Sequence, residues 1–209
     1  MEIIETDVVI AGAGGSGLAA AAAAAERGAR VIVLEKRKAV GGNATFAEGI
    51  FASESPAQKR SAVEIRNDDM FKMAMDFANW ELNGALLRAF VNKSGDTVRW
   101  LEEKGVKFDV LSFSPKQMHR VFHNPPRGGP EILKALIETC NRYGVQIIPG
   151  VSVTKILLDR KRKVTGITAT GLGLNLRINA KSVIIATGGF AGNKKLLQKY
   201  CKFDTKNSI

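Results

Sequence analysis

Cysteine is nearly absent from this chain. Its two cysteines among 209 residues, Cys140 and Cys201, lie far apart and form no CxxC pair. That excludes a metal knuckle or a disulfide framework and suits a reducing compartment. Histidine is as scarce, with only His119 and His123, and neither an HExxH nor a Ser-His-Asp arrangement can be drawn from the sequence. Apolar residues never run long enough to span a membrane. The one alanine-rich stretch is broken by glycines before it and by Glu26-Arg27-Gly28 after it. A first strand within the first ten residues leaves no room for a signal peptide, so the expectation is a soluble cytoplasmic protein with no membrane partner. Positive charge, by contrast, is abundant: 31 Lys and Arg against 20 Asp and Glu give a net +11. These cations are scattered, densest at Glu35–Lys38 and Asp159–Lys163, and form no helix-length stripe interleaved with aromatics. No nucleic-acid partner is expected, and Asp159–Lys163 reads as a solvated hairpin turn. A hydrophobic content of 45% suffices for a core in one or two small domains.

The informative stretch is VVIAGAGGSGLAAAAAAAERGARVIVLEK, from Val8 to Lys36. Asp7–Ala11 reads as a short buried strand, continuous in β-branched residues as parallel strands are. The turn after it carries Gly12-x-Gly14-x-x-Gly17, with Gly15 and Ser16 inside it. Gly12 permits the tight strand-to-helix turn, Gly14 lets a phosphate approach bare backbone, and Gly17 lets the helix press on the sheet. The helix N-terminus then offers unpaired N–H groups and the positive end of its dipole, about 0.3–1 kcal/mol per favourable charge contact. Ser16 adds a hydroxyl donor. The run Ala19–Ala25 suits a helix packed closely on a sheet, because alanine is small and the best helix former. Gly28 ends that helix, and Ala29–Glu35 reads as a second parallel strand. Glu35 lies 18 positions after Gly17, where an acid accepts hydrogen bonds from the hydroxyls of an adenosine ribose and repels a 2′-phosphate. Strand, glycines, helix, strand and terminal acid together specify a dinucleotide site and disfavour NADP.

The fingerprint does not by itself choose between FAD and NAD; the next segment does. Lys36–Ala52 brings a second glycine pair, Gly41-Gly42, then Asn43-Ala44-Thr45, then Gly49. Where an NAD domain would run into another helix and strand, this is a backbone-rich loop suited to an extended flavin cofactor.

With these residues in place the chain resembles the N-terminal part of the fumarate reductase/succinate dehydrogenase flavoprotein family. The soluble branch with flavocytochrome c fumarate reductases, urocanate reductases and 3-ketosteroid dehydrogenases is the most similar. The resemblance is carried by DVVIAGAGGSGLAAA, Glu35-Lys36, GGNATFAEG, NGALLRAFVNKSGDTVRWLEEKGVKF, GVQIIPGVSVTKILLDRKRKVTGI and AKSVIIATGGFAGNKKLL, which span nearly the whole chain. It implies that Gly12–Gly17 with Ser16 hold the pyrophosphate and that Glu35, with Lys36 beside it, holds the ribose. Gly41, Gly42 and the loop from Asn43, Ala44 and Thr45 to Gly49 would meet the pyrophosphate and the isoalloxazine edge. The Val153 backbone would meet the adenine, and Ala186-Thr187-Gly188-Gly189 would close the FAD domain. Branches with covalent flavin carry a histidine at the position of Asn43, so the resemblance implies non-covalent FAD. It further implies hydride transfer between FAD and an activated C–C bond of a small, anionic substrate, with the substrate clamp supplied by a capping domain. The chain ends just after the ATGGF turn, so the expectation is part of a longer oxidoreductase, completed by a missing C-terminal domain or a redox partner. No catalytic residue is assigned within 1–209. An NAD-dependent dehydrogenase and a non-catalytic dinucleotide-binding module or subunit are the alternative readings.

The expected fold is α/β: a Rossmann-like FAD-binding domain with a βαβ start and an antiparallel β-meander, interrupted by a helical insertion. Its expected divisions are 1–52, the insertion 53–129, and 130–209. Within the insertion, Ala62–Trp80 and Gly84–Gly105 show helical spacing, and Met70, Met73, Met75, Trp80 and Trp100 are the expected helix–helix core. Asp68-Asp69 reads as a solvated face, and Arg120, Arg127 and both histidines as surface groups rather than ligands. Cys140 reads as buried filler on the helix after the His123–Pro130 loop. VQII, VSVTKILLD, KVTGITAT, LNLRINA and SVIIAT follow as strands, the middle three forming the meander and the last a buried strand beside the βαβ unit.

Overall fold

The structure is a computed structural model, described over residues 1–111 and 119–201. In chain order it begins with β1 (Glu2–Ala11), α1 (Gly15–Ala25), β2 (Val31–Glu35), a 3-10 turn (Gly42–Phe46) and β3 (Ile50–Phe51). The helices α2 (Pro56–Arg60), α3 (Asn67–Phe77) and α4 (Gly84–Glu102) follow, then β4 (Asp109–Leu111), β5 (Phe122–Asn124) and α5 (Gly129–Arg142). The chain continues through β6 (Gln146–Pro149), β7 (Ser152–Leu158), β8 (Val164–Gly171), β9 (Leu174–Ile185) and α6 (Lys194–Tyr200). Contacts divide it into one unit of Met1–Gly42 with Val145–Ile209 and a second of Asn43–Gly144.

The first unit is a six-stranded sheet ordered β6-β2-β1-β9-β8-β7. Its βαβ start forms as the sequence predicts: β2 is buried at all five residues and pairs parallel to β1, Val8 opposite Val31. Helix α1 buries Gly17, Leu18, Ala21, Ala22 and Ala25, a face of small residues around one leucine. β6 and β9 extend the parallel part, and β9-β8-β7 is the antiparallel meander. Val9, Ile32, Leu34, Val151, Ile167, Ala169, Leu176 and Ile178 pack together as one core cluster. At the hairpin between β7 and β8 the Asp159 carboxylate accepts from the backbone N–H of Lys161 and of Lys163, each at 2.8 Å, and the basic side chains are exposed, as expected of a solvated turn.

Two strand expectations are corrected here. β1 starts at Glu2 rather than Asp7, because Glu2–Thr6 pair in register with Leu176–Ala180. LNLRINA and SVIIAT are one strand, not two, since β9 keeps pairing with β1 through Ala180 and Ser182. Its end is not buried, and Ile185 is 56% exposed. Beside this join Asp7 is gripped by the Lys181 ammonium and by the backbone and guanidinium of Arg30, which hold its carboxyl far below the usual range.

The second unit is built on the expected helices α3 and α4, with Met70 buried among Ile65, Val91 and Val121 and Met75 buried as well. Trp80 departs from expectation. It is 59% exposed at φ +61°, because α3 stops at Phe77 and the turned-out indole donates to Asp76 at 2.8 Å. The unit also contains a three-stranded antiparallel sheet, β3-β5-β4, whose strands are too short to leave a periodic signal. Because β3 pairs with β5, residues from 43 onward group with the insertion. The observed borders therefore fall at 42/43 and 144/145, not at 52/53 and 129/130. The expected helical pattern between Ser53 and Arg120 includes 112–118, which lie outside the described residues, as do 202–209. Among the described residues no helix is long and apolar enough to cross a membrane, and no group of three or more His, Cys, Asp or Glu could hold a metal.

Candidate nucleotide-binding site

Glu35, at the C-terminal end of β2, is buried, and both its carboxylate oxygens are engaged by backbone. Oε2 accepts from the Ala13 N–H and Oε1 from the Arg37 N–H, each at 2.9 Å. The carboxylate thus ties the glycine turn after β1 to the chain leaving β2. Each oxygen keeps a second lone pair for a ligand hydroxyl. Gly12 sits at φ +105°, and a Cβ there would stand 2.4 Å from the Ala186 carbonyl oxygen. This crossing of two strand ends admits no side chain. A Cβ on Gly17 would be 1.9 Å from the Gly12 carbonyl oxygen, so the third glycine lets the helix close on the turn itself rather than on the sheet at large.

Gly14 differs from both. Its nearest neighbour is the Gly41 carbonyl oxygen, 3.8 Å from a would-be Cβ, so no protein atom requires the missing side chain. Gly14 bridges Gly41, whose N–H donates to the Ala13 carbonyl at 2.8 Å. The two turns lie together at the start of α1, which has Gly14 as its N-cap, no side-chain cap and no acid in its first turn. The N–H groups of Gly15, Ser16 and Gly17 precede the first helical bond, from Leu18 to Gly14, and the dipole favours an anion there. Ser16 is exposed beside them. This donor set suits a diphosphate, and the adjoining carboxylate suits a ribose.

The structure brings Gly12, Gly14, Gly15, Ser16, Gly17, Glu35, Gly41 and Gly42 to this one end of the first sheet. Ala186 joins them, its N–H donating to the Ala11 carbonyl at 2.8 Å, and Thr187 and Gly188 follow it, both exposed. Lys36 is exposed next to Glu35. Val153 is half-buried on β7, where the pairing with β8 shifts register between Val153 and Lys155. Asn43, Ala44, Thr45 and Gly49 belong to the second unit and are described with it: Asn43 and Thr45 are exposed, while Ala44 and Gly49 are half-buried.

Sequence reasoning missed the backbones of Ala13 and Arg37, which the acid binds. No residue-type signal marks a backbone donor. It also placed His123 at the surface. The ring is fully buried and burial pushes its pKa down, because β5 runs through the centre of the small sheet. His119 is exposed. Arg120 donates to the Val110 carbonyl at 2.7 Å and Arg127 to Glu131 at 2.7 Å; the Arg127 guanidinium draws the Glu131 carboxyl below its usual range.

Residues 7–208 match the sequence profile of the family described as FAD binding domain. The chain belongs to this FAD binding domain family. The match selects FAD over NAD as cofactor and sets aside the NAD-dependent dehydrogenase reading. Relatives include the vinyl phenol reductase of Lactiplantibacillus plantarum, 29% identical over 97% of this chain and 42% of that protein. The cytochrome-type fumarate reductase of Shewanella frigidimarina is 31% identical over 92% of this chain and 35% of its own. A solved open conformation of a flavocytochrome c3 fumarate reductase superposes with a TM-score of 0.87 at 30% identity, covering 95% of this chain and 36% of that one. The FAD binding domain described here is thus of the fumarate-reductase type, and it spans about two-fifths or less of the length of these relatives.

Proposed function

We propose that this chain is the FAD-binding portion of a flavin-dependent oxidoreductase that reduces or dehydrogenates an activated C–C bond of a small substrate. One observation carries the reading: a buried acid at the end of β2 holds the glycine turn in shape beside an uncapped helix start. Gly14, Gly15, Ser16 and Gly17 would bind the diphosphate, Glu35 the ribose hydroxyls, and the Val153 backbone the adenine. Asn43, Ala44, Thr45 and Gly49 would border the flavin, with Asn43 unable to form a covalent link. When bound, FAD supplies a two-electron carrier; the protein supplies position and the exclusion of water. The relatives' names extend the candidate substrates to fumarate, urocanate, acrylate and vinyl phenols. Their greater length supports completion of the substrate clamp by further chain or by a partner. The two cysteines, far apart in the chain and forming no CxxC pair, favour a reducing compartment such as the cytoplasm.

The test is to mix the purified protein with FAD, desalt it and record the spectrum. A retained flavin band whose chromophore is released by acid precipitation is expected. A folded protein that takes up no FAD overturns the reading. If the loaded, dithionite-reduced protein, supplied with the further chain or partner proposed to complete the clamp, is reoxidised by none of these alkenes, the binding module is left as the function.

A further inference from the structure

The turn from Asn43 to Gly49 is held from behind by the backbone that joins β5 to α5. The Gly129 N–H donates to the Ala47 carbonyl. A Cβ on Gly129 would stand 1.8 Å from the Ala44 carbonyl oxygen and 3.1 Å from that of Ala47. Gly128, the N-cap of α5 at φ +61°, approaches as closely: its Cβ would lie 2.6 Å from the Ala47 oxygen. At the far end of the turn Gly49 crosses β5, with a would-be Cβ 2.3 Å from the His123 carbonyl oxygen. The Asn124 amide, with its nitrogen turned toward the turn, reaches the Glu48 carbonyl at 3.3 Å and the Pro125 carbonyl at 2.6 Å. Three close backbone crossings and two backbone-directed donors therefore converge on seven residues. The carbonyls of Ala44 and Ala47 face this support, while the side chains of Asn43, Thr45 and Phe46 are exposed.

We propose that Gly128 and Gly129 are positioning residues for FAD, fixing the shape of the 43–49 turn on its concealed side so that its exposed side meets the flavin. The inference rests on the reading of that turn as a flavin-side contact. The physical reason is steric. No rotamer change relieves a Cβ placed 1.8 Å from a backbone oxygen, so any side chain at Gly129 displaces the turn itself. A displacement near 1 Å in a positioning element costs on the order of 100-fold in function. The helix start adds a smaller effect, its positive end facing the two carbonyls.

The experiment compares FAD with ADP, which carries the diphosphate and ribose but no flavin, on the full chain of wild type, Gly129→Ala and Asn124→Ala. For Gly129→Ala the expected result is FAD binding weakened about tenfold or more, with ADP binding within about twofold of wild type. The absorption band of bound flavin is expected to shift as its surroundings change, which a general loss of stability would not produce. Gly129→Ala that melts like wild type and binds FAD with the wild-type affinity and spectrum overturns the inference. Should Gly129→Ala not fold, Asn124→Ala decides. It removes a tether and adds no atoms, and it is expected to weaken FAD about threefold while sparing ADP; an unchanged FAD affinity overturns the inference. A wild type that binds ADP and FAD equally well removes the premise that the turn contacts flavin, a failure distinct from that of the two glycines.

Discussion

Ser55 Oγ and His123 Nε2 lie 2.6 Å apart in the interior of the second unit, although 68 positions separate them in the chain. The other ring nitrogen, Nδ1, faces the Val121 carbonyl at 3.1 Å. A carbonyl only accepts, so the proton sits on Nδ1 and the Ser55 hydroxyl donates to Nε2. Ser55 Oγ in turn accepts from the Gln58 N–H, closing a capping box at α2. The pair is structural, with the hydroxyl sealed from solvent and unavailable as a nucleophile.

A pH dependence follows. Burial holds the folded imidazole below its ordinary range; the Val121 carbonyl, and after it Glu102, itself paired with Arg60, pull the other way without overcoming it. The unfolded chain takes up its proton near pH 6.5, where the folded one does not. His123 therefore contributes full stability above about pH 6.5, and that contribution drains away as pH falls toward the folded pKa. Melting temperatures of wild type and His123→Gln at pH 7.5 and pH 5 measure this. The wild type is expected to lose more on acidification, and parallel losses would refute the neutral buried ring.

Glu35→Gln replaces one of two backbone-binding oxygens by an NH₂ group, leaving the Ala13 or Arg37 N–H without its acceptor. Urea unfolding is expected to show a loss of about 1–3 kcal/mol, and FAD titration a drop of about tenfold or more. An unchanged unfolding free energy would mean that the carboxylate does not hold the turn.

Gly14→Ala and Gly17→Ala should behave oppositely. A Cβ at Gly14 meets nothing closer than 3.8 Å, whereas at Gly17 it meets the Gly12 oxygen at 1.9 Å. Chemical denaturation should place Gly14→Ala within about 0.5 kcal/mol of wild type and Gly17→Ala about 3 kcal/mol or more below it. Only Gly14→Ala should stay folded with FAD affinity lost; full FAD binding by it would remove the phosphate from that position.

The thiols offer a fourth check. Cys140 is fully buried on α5 and Cys201 is half-buried. A chromogenic disulfide reagent should titrate one thiol in the folded protein and the second only in denaturant. Prompt reaction of both would place α5 differently.

The βαβ start, with its glycine turn and terminal acid, was legible in the sequence because its geometry is local. Strand pattern, glycine spacing, alanine run and terminal acid all fall within Val8–Glu35, and each has one backbone conformation that satisfies it. The meander was equally readable from alternation and turn residues, although the continuity of β9 was not, since it depends on pairing with Glu2–Thr6 at the other end of the chain. Trp80 and His123 were misread for one reason: composition suggests what a side chain prefers, while helix length and strand order decide where it points.

Sequence by itself determined that this protein carries a bare-backbone turn, a helix start free of acids and an acid in range of both, because these are matters of spacing along one chain. Only the tertiary structure decided that the acid grips Ala13 and Arg37, that His123 seals Ser55, and that Gly128 and Gly129 lie against the turn at 43–49. Most of those relationships join groups tens of residues apart, and all but the His123–Ser55 pair end on backbone atoms. A peptide N–H or carbonyl looks the same at every position, so nothing in the order of side chains announces which of them will meet.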